Sequence, residues 1–107
     1  MPHAELKYSA DLELDAPAAL RRIEQILQAH DPGSGDCKGR AYPAAASHHT
    51  HLILEVSLLP KPHRDAAWFS AVRADLAAYL RSVLPRPCWL SIELSFSSAQ
   101  YLTERLE

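Results

Sequence analysis

The sequence predicts an α/β (α+β) protein in which two β-α-β halves form one four-stranded mixed sheet with both helices on one face. Two observations predict this class. Segments in which apolar residues alternate with polar ones are interspersed with two segments of helical periodicity. Their order is strand, helix, short strand and then strand, helix, strand. Strands joined through a helix are almost always parallel, so each half should contribute one parallel pair.

The first strand begins almost at the start of the chain. Ala4, Leu6 and Tyr8 alternate with polar residues, which indicates a half-buried strand. The first residues of most domains are frayed. A terminus that enters a sheet at once would instead hold its amino group in one place.

A helix of roughly 15 residues follows a short loop. Asp15 is a favourable N-cap, and Pro17 suits the first turn of a helix. The apolar positions recur at helical spacing: Leu20, Ile23 and Leu27. The breaker cluster 31–35 ends this helix, and residues 36–42 are expected to form a short extended segment.

The second half starts with the most regular alternation in the chain. Residues 43–47 are expected to form a loop, and the strand that follows has four apolar positions on one face: Leu52, Leu54, Val56 and Leu58. Ile53 and Leu59 suggest that parts of both faces are covered. Residues 60–62, which contain two prolines, end the strand.

The second helix and the last strand complete this half. Asp65 is the expected N-cap, and residues 85–87 end the helix because they contain two prolines. The apolar stripe consists of Phe69, Val72, Leu76, either Tyr79 or Leu80, and Val83. Residues 88–97 are predicted to form the last strand, and residues 99–107 a final helical turn.

The order of elements does not fix the order of strands in the sheet. A ferredoxin-like fold has the same element order, and periodicity does not separate it from other arrangements of two such halves. Helices on one face leave the other face uncovered, and apolar residues on both faces would fit burial by another subunit. Because small domains often gain stability by association, we expect one domain, residues 1–107, in several copies.

Composition narrows the class of protein. A chain with 48% hydrophobic residues, 22% charged residues and a net charge of −2 is neither a disordered tail nor an obvious nucleic-acid binder. No apolar run approaches the ~20 residues of a membrane span, and no secretory signal is present. These features predict a cytoplasmic protein with neither a membrane nor a nucleic acid as partner.

The two cysteines do not form a recognisable motif. Cys37 and Cys88 lie far apart and outside any Cys-x-x-Cys pattern, so both are expected to be reduced thiols. Cys37 could have a lowered pKa because Lys38 follows it. A packing role is the favoured interpretation.

Three of the six histidines cluster at residues 48–51 and raise the possibility of a metal site. A zinc site needs three or four converging ligands. On a strand only His49 and His51 would share a face, so no metal site is predicted, although His49 could line a pocket.

Pro2, directly after Met1, is the candidate catalytic residue. Aminopeptidases remove Met1 readily before a small residue, and the mature chain would then begin with a free secondary amine. An α-amino group titrates near ~8, and burial or a cationic neighbour destabilises its protonated form. Such an amine can accept a proton and return it at neutral pH.

Four short stretches resemble the 5-carboxymethyl-2-hydroxymuconate isomerase family of the tautomerase superfamily: Met1-Pro2-His3, Cys37-Lys38-Gly39-Arg40, Ser47-His48-His49 and His63-Arg64. The order of elements agrees over nearly the whole chain. Members of this family are trimers whose sheets form an inner barrel, with active sites near subunit boundaries. The resemblance therefore implies a homotrimer whose uncovered sheet faces turn inward.

The resemblance also implies a reaction without cofactor or metal. Pro2 would be the acid–base catalyst that ketonises a 2-hydroxy-dienoate with two or three carboxylates, 5-carboxymethyl-2-hydroxymuconate-like, in aromatic compound catabolism. Lys38, Arg40 and Arg64 would bind the carboxylates of this small-molecule substrate.

Two departures from the family pattern leave a second interpretation open. Lys38 stands where an arginine is expected, and an ammonium is a point charge where a guanidinium is a planar fork. The loop 60–63 differs from the family's glycine-containing loop, so the substrate stays open. The alternative is a non-catalytic, small oligomeric binding or structural protein that keeps the fold.

Overall fold

The computed structural model describes all 107 residues. It contains four strands: β1 (His3–Ser9), β2 (Lys38–Ala44), β3 (His51–Leu58) and β4 (Trp89–Phe96). It contains two α-helices and one short 3₁₀ turn: α1 (Ala16–His30), α2 (Ala66–Val83) and Pro32–Ser34. The element order is the predicted one, and the predicted fold class is confirmed.

The strands are ordered β2-β1-β3-β4 in one sheet. β1 is parallel to β2, β3 is parallel to β4, and the central pair β1 and β3 is antiparallel. The two strands of each half are therefore direct neighbours, unlike those of a split β-α-β unit. Because the central pair is antiparallel, β1 and β3 begin at opposite ends of the sheet.

The core lies between the sheet and the two helices. Alternate residues of the central strands are buried there: Ala4, Leu6, Tyr8, Leu52, Leu54, Val56 and Leu58. The helices contribute a matching stripe: Ile23, Leu27, Val72, Leu76 and Leu80. Leu80 rather than Tyr79 continues the stripe of α2, and Val83 is 41% exposed. Neither helix combines the length and apolarity needed to cross a bilayer.

The sheet face that points away from the helices is mainly polar. The prediction that both faces of the strands carry apolar residues is therefore wrong for most positions on this face. Lys7 Nζ donates to Glu55 Oε1 at 3.1 Å, and Arg40 Nη2 contacts Glu5 Oε1 at 2.8 Å. The strand register places Glu5, Glu55 and Glu93 side by side on three strands. We call this surface the open face.

One predicted strand boundary and one predicted helical turn are wrong. The sequence predicts a loop at Pro43, but the structure places this residue in β2. An edge strand such as β2 can contain a proline at a position where no hydrogen bond of the sheet is lost. Residues 99–107 form no helix. Leu102 and Leu106 are at least 80% exposed, so this segment has no apolar face packed against the core to stabilise a helix.

Candidate active site

The corner of the sheet where the chain begins contains most of the predicted site residues. β1 and β2 start side by side there, and the Lys38 amide donates to the Pro2 carbonyl at 2.9 Å. Less than 2% of Pro2 is exposed, so the terminus is held in place as expected. The loop between β3 and α2 brings Lys61 and Arg64 near the amino group, and Asp31 contacts both. We call these five residues the N-terminal corner.

The amino group in this corner has a lowered pKa. Burial of the Met1 amine lowers its pKa below the ordinary value, and the positive charges of Arg64, Lys61 and Lys38 lower it further. Removal of Met1 would transfer the free amine to Pro2, about 3.8 Å along the chain. In this environment the neutral form of the amine, which can act as a base, is favoured over the protonated form.

Arg64 is buried and bound to a carboxylate of the protein itself. Only 4% of the residue is exposed. Its Nε and Nη2 donate to Asp31 Oδ2 at 3.2 and 2.6 Å, and its Nη1 donates to the Leu59 carbonyl at 2.7 Å. The guanidinium also lies 5.4 Å from the centre of the Trp68 ring. A guanidinium has five N–H donors, and these three bonds use three of them while the side chain is only 2% exposed.

Asp31 is the carboxylate shared by the cations of this corner. Besides Arg64, its Oδ2 atom lies 3.0 Å from His63 Nε2 and 3.9 Å from Lys61 Nζ. Burial alone would raise the pKa of Asp31, but the hydrogen bonds from Arg64 and His63 lower it to about 2. One carboxylate does not neutralise Arg64, Lys61 and the amine together, so the corner can attract an anion.

Lys38 is the most available cation of the corner. Its Nζ lies 4.0 Å from Asp36 Oδ2, and 45% of its side chain is exposed. An exposed pair at this distance contributes little and separates easily. Lys38 is therefore free to turn toward a bound carboxylate.

Arg40 lies on the open face and is held by neighbours there. Its Nε and Nη2 contact Glu5 Oε1 at 3.0 and 2.8 Å, and Nη2 donates to His3 Nδ1 at 3.2 Å. Burial and the charge of Arg40 lower the pKa of His3, so its ring is neutral and its Nε2–H donates to the Tyr101 hydroxyl at 2.8 Å. Burial raises the pKa of Glu5, but Arg40 holds it below its ordinary value.

The structure brings Pro2, Lys38 and Arg64 into one corner and places Arg40 in a separate hydrogen-bonded chain on the open face. Sequence reasoning missed Asp31 and Lys61. Both lie beside prolines, Asp31 in the segment that ends the first helix and Lys61 in the segment that ends the third strand. The sequence pattern predicts only that these two elements end there. The signal that could have identified them is topological, since the end of α1 and the start of α2 lie at the same end of the sheet.

Two other candidate residues do not extend the site. Burial and then Glu24 raise the pKa of the Cys37 thiol to about 11, so the alternative of a lowered pKa is wrong. The ring of His51 contacts the His49 carbonyl at 2.9 Å. Nowhere in the chain do three His, Cys, Asp or Glu side chains converge as metal ligands would.

Comparison with solved structures supports the predicted resemblance at the level of fold. The chain matches a crystal structure of 5-carboxymethyl-2-hydroxymuconate delta-isomerase with a TM-score of 0.74 and 20% identity, over 98% of this chain and 88% of that one. A 5-carboxymethyl-2-hydroxymuconate isomerase from Deinococcus radiodurans R1 matches with a TM-score of 0.63 and 23% identity, over 98% and 90% of the two chains.

A third crystal structure, of a probable enzyme from the thermophilic fungus Aspergillus fumigatus, matches with a TM-score of 0.65 and 14% identity, over 97% of this chain and 80% of that one. No protein-family model and no curated protein matches the sequence. The chain therefore has the fold of the 5-carboxymethyl-2-hydroxymuconate isomerase structures over nearly its full length, at low sequence identity.

Proposed function

We propose that this protein is a cofactor-independent isomerase of the tautomerase type, acting on a 2-hydroxy-dienoate with two or three carboxylates. The observation that carries the proposal is the buried amino terminus beside Lys38, Lys61 and Arg64, whose positive charges favour the neutral amine. Two solved structures that share the fold are described as 5-carboxymethyl-2-hydroxymuconate isomerases.

The proposed reaction moves one proton within the substrate. After removal of Met1, the neutral Pro2 amine takes the proton of the 2-hydroxyl group, and the electrons of that bond form the keto group as the conjugated double bonds shift. The resulting ammonium group of Pro2 returns the proton to a carbon atom of the substrate, so the substrate gains and loses no atom. An amine whose pKa is lowered by burial and by neighbouring cations can perform both steps, because it can take a proton and return it.

The cations of the corner bind the substrate and stabilise the transition state. Lys38 binds a carboxylate, and Lys61 adds positive charge. Arg64 binds a carboxylate only if its guanidinium, which is 2% exposed beside Asp31, becomes uncovered. Fixed positive charge beside the dienolate stabilises the negative charge that develops on its oxygen. Arg40 binds a second carboxylate only if it leaves Glu5.

We expect the protein to be a homotrimer in which the open faces turn inward. Glu93 has no ion-pair partner within the chain, although Glu5 and Glu55 lie beside it in register. Like charges side by side on a sheet are unfavourable unless cations neutralise them. Neighbouring copies can supply these cations. Light scattering should give a mass three times the 11.9 kDa of one chain.

The decisive experiment begins with the chain terminus. Intact-mass measurement should show that Met1 is absent. The protein should then ketonise 2-hydroxymuconate, followed by ultraviolet absorbance, and Pro2→Ala should lower kcat by roughly 100-fold or more, the usual contribution of a positioned acid–base group. Pro17→Ala, which removes an exposed proline from the first turn of α1, is the matched control and should keep full activity.

An N-terminal extension provides a second comparison. A tag that converts the Pro2 amine into an amide should abolish turnover, and its proteolytic removal should restore it. Full activity of the tagged protein, or of Pro2→Ala, would remove the proline amine from the mechanism.

A non-catalytic carboxylate-binding protein with the same fold is the second candidate. Two features favour it. Asp31 already engages three donors of the Arg64 and His63 side chains, and Lys38 stands where the resemblance implies an arginine. Such a protein would bind a dicarboxylate such as muconate in calorimetry and would show no turnover of 2-hydroxymuconate even with Pro2 free.

A further inference from the structure

A cavity of about 650 Å³ lies at the end of the sheet opposite the N-terminal corner. It opens where β3 and β4 begin, against the end of α2. Six of its lining residues matter here: Thr50, Arg81, Leu84, Arg86, Cys88 and Trp89. We call this group the second corner. Its volume is within the range of small-molecule sites, which is about 300–1,000 Å³.

The second corner is the structural counterpart of the N-terminal corner. In the first half the Lys38 amide donates to the Pro2 carbonyl at 2.9 Å, and in the second half the Trp89 amide donates to the Thr50 carbonyl at 3.0 Å. Each of these bonds joins the residue before one strand to the first residue of its parallel neighbour. The fold therefore builds the same backbone frame at both ends of the sheet.

The cavity carries positive charge without a lining carboxylate. Neither Asp nor Glu lines it, and the Arg81 guanidinium forms no hydrogen bond or ion pair within the chain. Arg86 Nη1 donates to the carbonyls of Arg81 and Leu84 at 3.3 and 3.1 Å, which leaves its other donors free. Asp11, which is not a lining residue, accepts a hydrogen bond from the Thr50 hydroxyl.

The remaining walls are mainly apolar. Leu84 is buried at the end of α2, and Leu90, two prolines and His49 complete the lining. Trp89, at the start of β4 on the open face, is 72% exposed in the single chain, which is unusual for the largest apolar side chain. An exposed tryptophan beside two guanidinium groups can pack on an aromatic or aliphatic ring while the arginines bind an attached anion.

We propose that the second corner is a binding site for a small aromatic or apolar carboxylate. It is separate from the N-terminal corner, because the six strand positions between Ser57 and His51 span about 20 Å. The site requires neither a free Pro2 amine nor turnover. It therefore stands or falls independently of the proposed isomerase activity.

Phenylacetate is the probe that tests the site. In ¹⁵N-labelled full-length protein, titration with phenylacetate should shift the backbone amides of Thr50, Cys88 and Trp89 in a saturable manner. Phenylacetamide, which has the same shape without the charge, should produce much smaller shifts at equal concentration. Arg81→Gln should weaken phenylacetate binding about tenfold, because it removes a charge-assisted hydrogen bond.

Arg21→Gln is the matched control, since Arg21 is an exposed arginine on α1 outside the cavity, and it should bind as the unmodified protein does. Any of four results would overturn the proposal: no saturable shifts up to about 10 mM, shifts confined to the N-terminal corner, equal binding of phenylacetamide, or unchanged affinity in Arg81→Gln. A second copy of the chain that covered Trp89 in solution would produce the first result.

Discussion

The N-terminal corner and the second corner share a backbone frame but differ in the residues that complete it. Asp31 and Leu84 are equivalent, since each is the first residue after a helix and donates its amide to a carbonyl four residues back. Arg64 and Leu14 are equivalent too, because each precedes the aspartate that caps a helix. An ion pair at one end of the sheet thus corresponds to two leucines at the other.

This difference is the reason for proposing different ligands for the two corners. At the N-terminal corner Asp31 fixes Arg64 and leaves excess positive charge around the partly buried amine of Met1. At the second corner Leu84 provides no partner, so Arg81 stays free at the edge of an apolar cavity. The first arrangement suits a reacting polar carboxylate, and the second suits binding of an apolar one.

The largest expected effect comes from making the first corner resemble the second. Asp31→Leu should lower the free energy of unfolding by about 3–5 kcal/mol, because it leaves the buried Arg64 guanidinium without its counter-ion. Urea denaturation measures this change. Asp36→Leu is the control, since the Asp36 side chain is 79% exposed and should matter by less than about 1 kcal/mol.

The double variant Asp31→Leu with Arg64→Leu sharpens this test. Replacing both partners of a buried ion pair by apolar residues is often neutral, so the double variant should recover most of the stability that Asp31→Leu loses. It should also lose carboxylate binding at the N-terminal corner. If the double variant is as unstable as Asp31→Leu, the unpaired charge of Arg64 is not the cause of the lost stability.

The next effect is a pH dependence that Asp31 gives to the N-terminal corner. The folded pKa of Asp31, about 2, lies below its ordinary value of 3.8, so its contribution is present above about pH 4 and is lost as the pH falls through 2. The loss should be about 2 kcal/mol. Between pH 5 and 2 the unmodified protein should lose this stability relative to the double variant, which lacks Asp31; urea denaturation of both proteins at each pH measures the difference. Parallel curves would contradict the assignment.

The smallest effect should be the same in both halves. Asp15 and Asp65 each accept an amide hydrogen bond as N-caps, from Ala18 at 3.1 Å and Trp68 at 2.8 Å. Asp15→Ala and Asp65→Ala should each cost about 1 kcal/mol in thermal or urea unfolding. A much larger cost for Asp65→Ala would mean that the neighbouring Arg64 depends on that cap for its position.

Much of the fold could be predicted because its signals are local. The structure confirms two kinds of local prediction. Asp15 and Asp65 are the N-caps of the two helices, and alternate residues of β3 are buried. The limits of β2 and the helical turn at residues 99–107 were wrong. Both segments lie at an edge of the molecule, where periodic burial does not constrain the sequence.

The candidate site was predictable only in part. Pro2, Lys38 and Arg64 were identified through a resemblance, and the structure places them in one corner, but their roles in catalysis and binding stay predictions. Asp31 was missed because its partner Arg64 is 33 positions away in the sequence. A pair of that separation leaves no periodic signal.

The sequence by itself determined the elements, their order and the terminal proline, because caps, breakers and apolar periodicity act over a few residues. The strand order β2-β1-β3-β4, the partner of Arg64 and the cavity beside Trp89 were decided by tertiary structure alone. These features depend on which ends of the elements meet when the core closes. The same packing that buries the leucines of the two halves creates two matching corners, and the side chains at residues 31 and 84 make them chemically different.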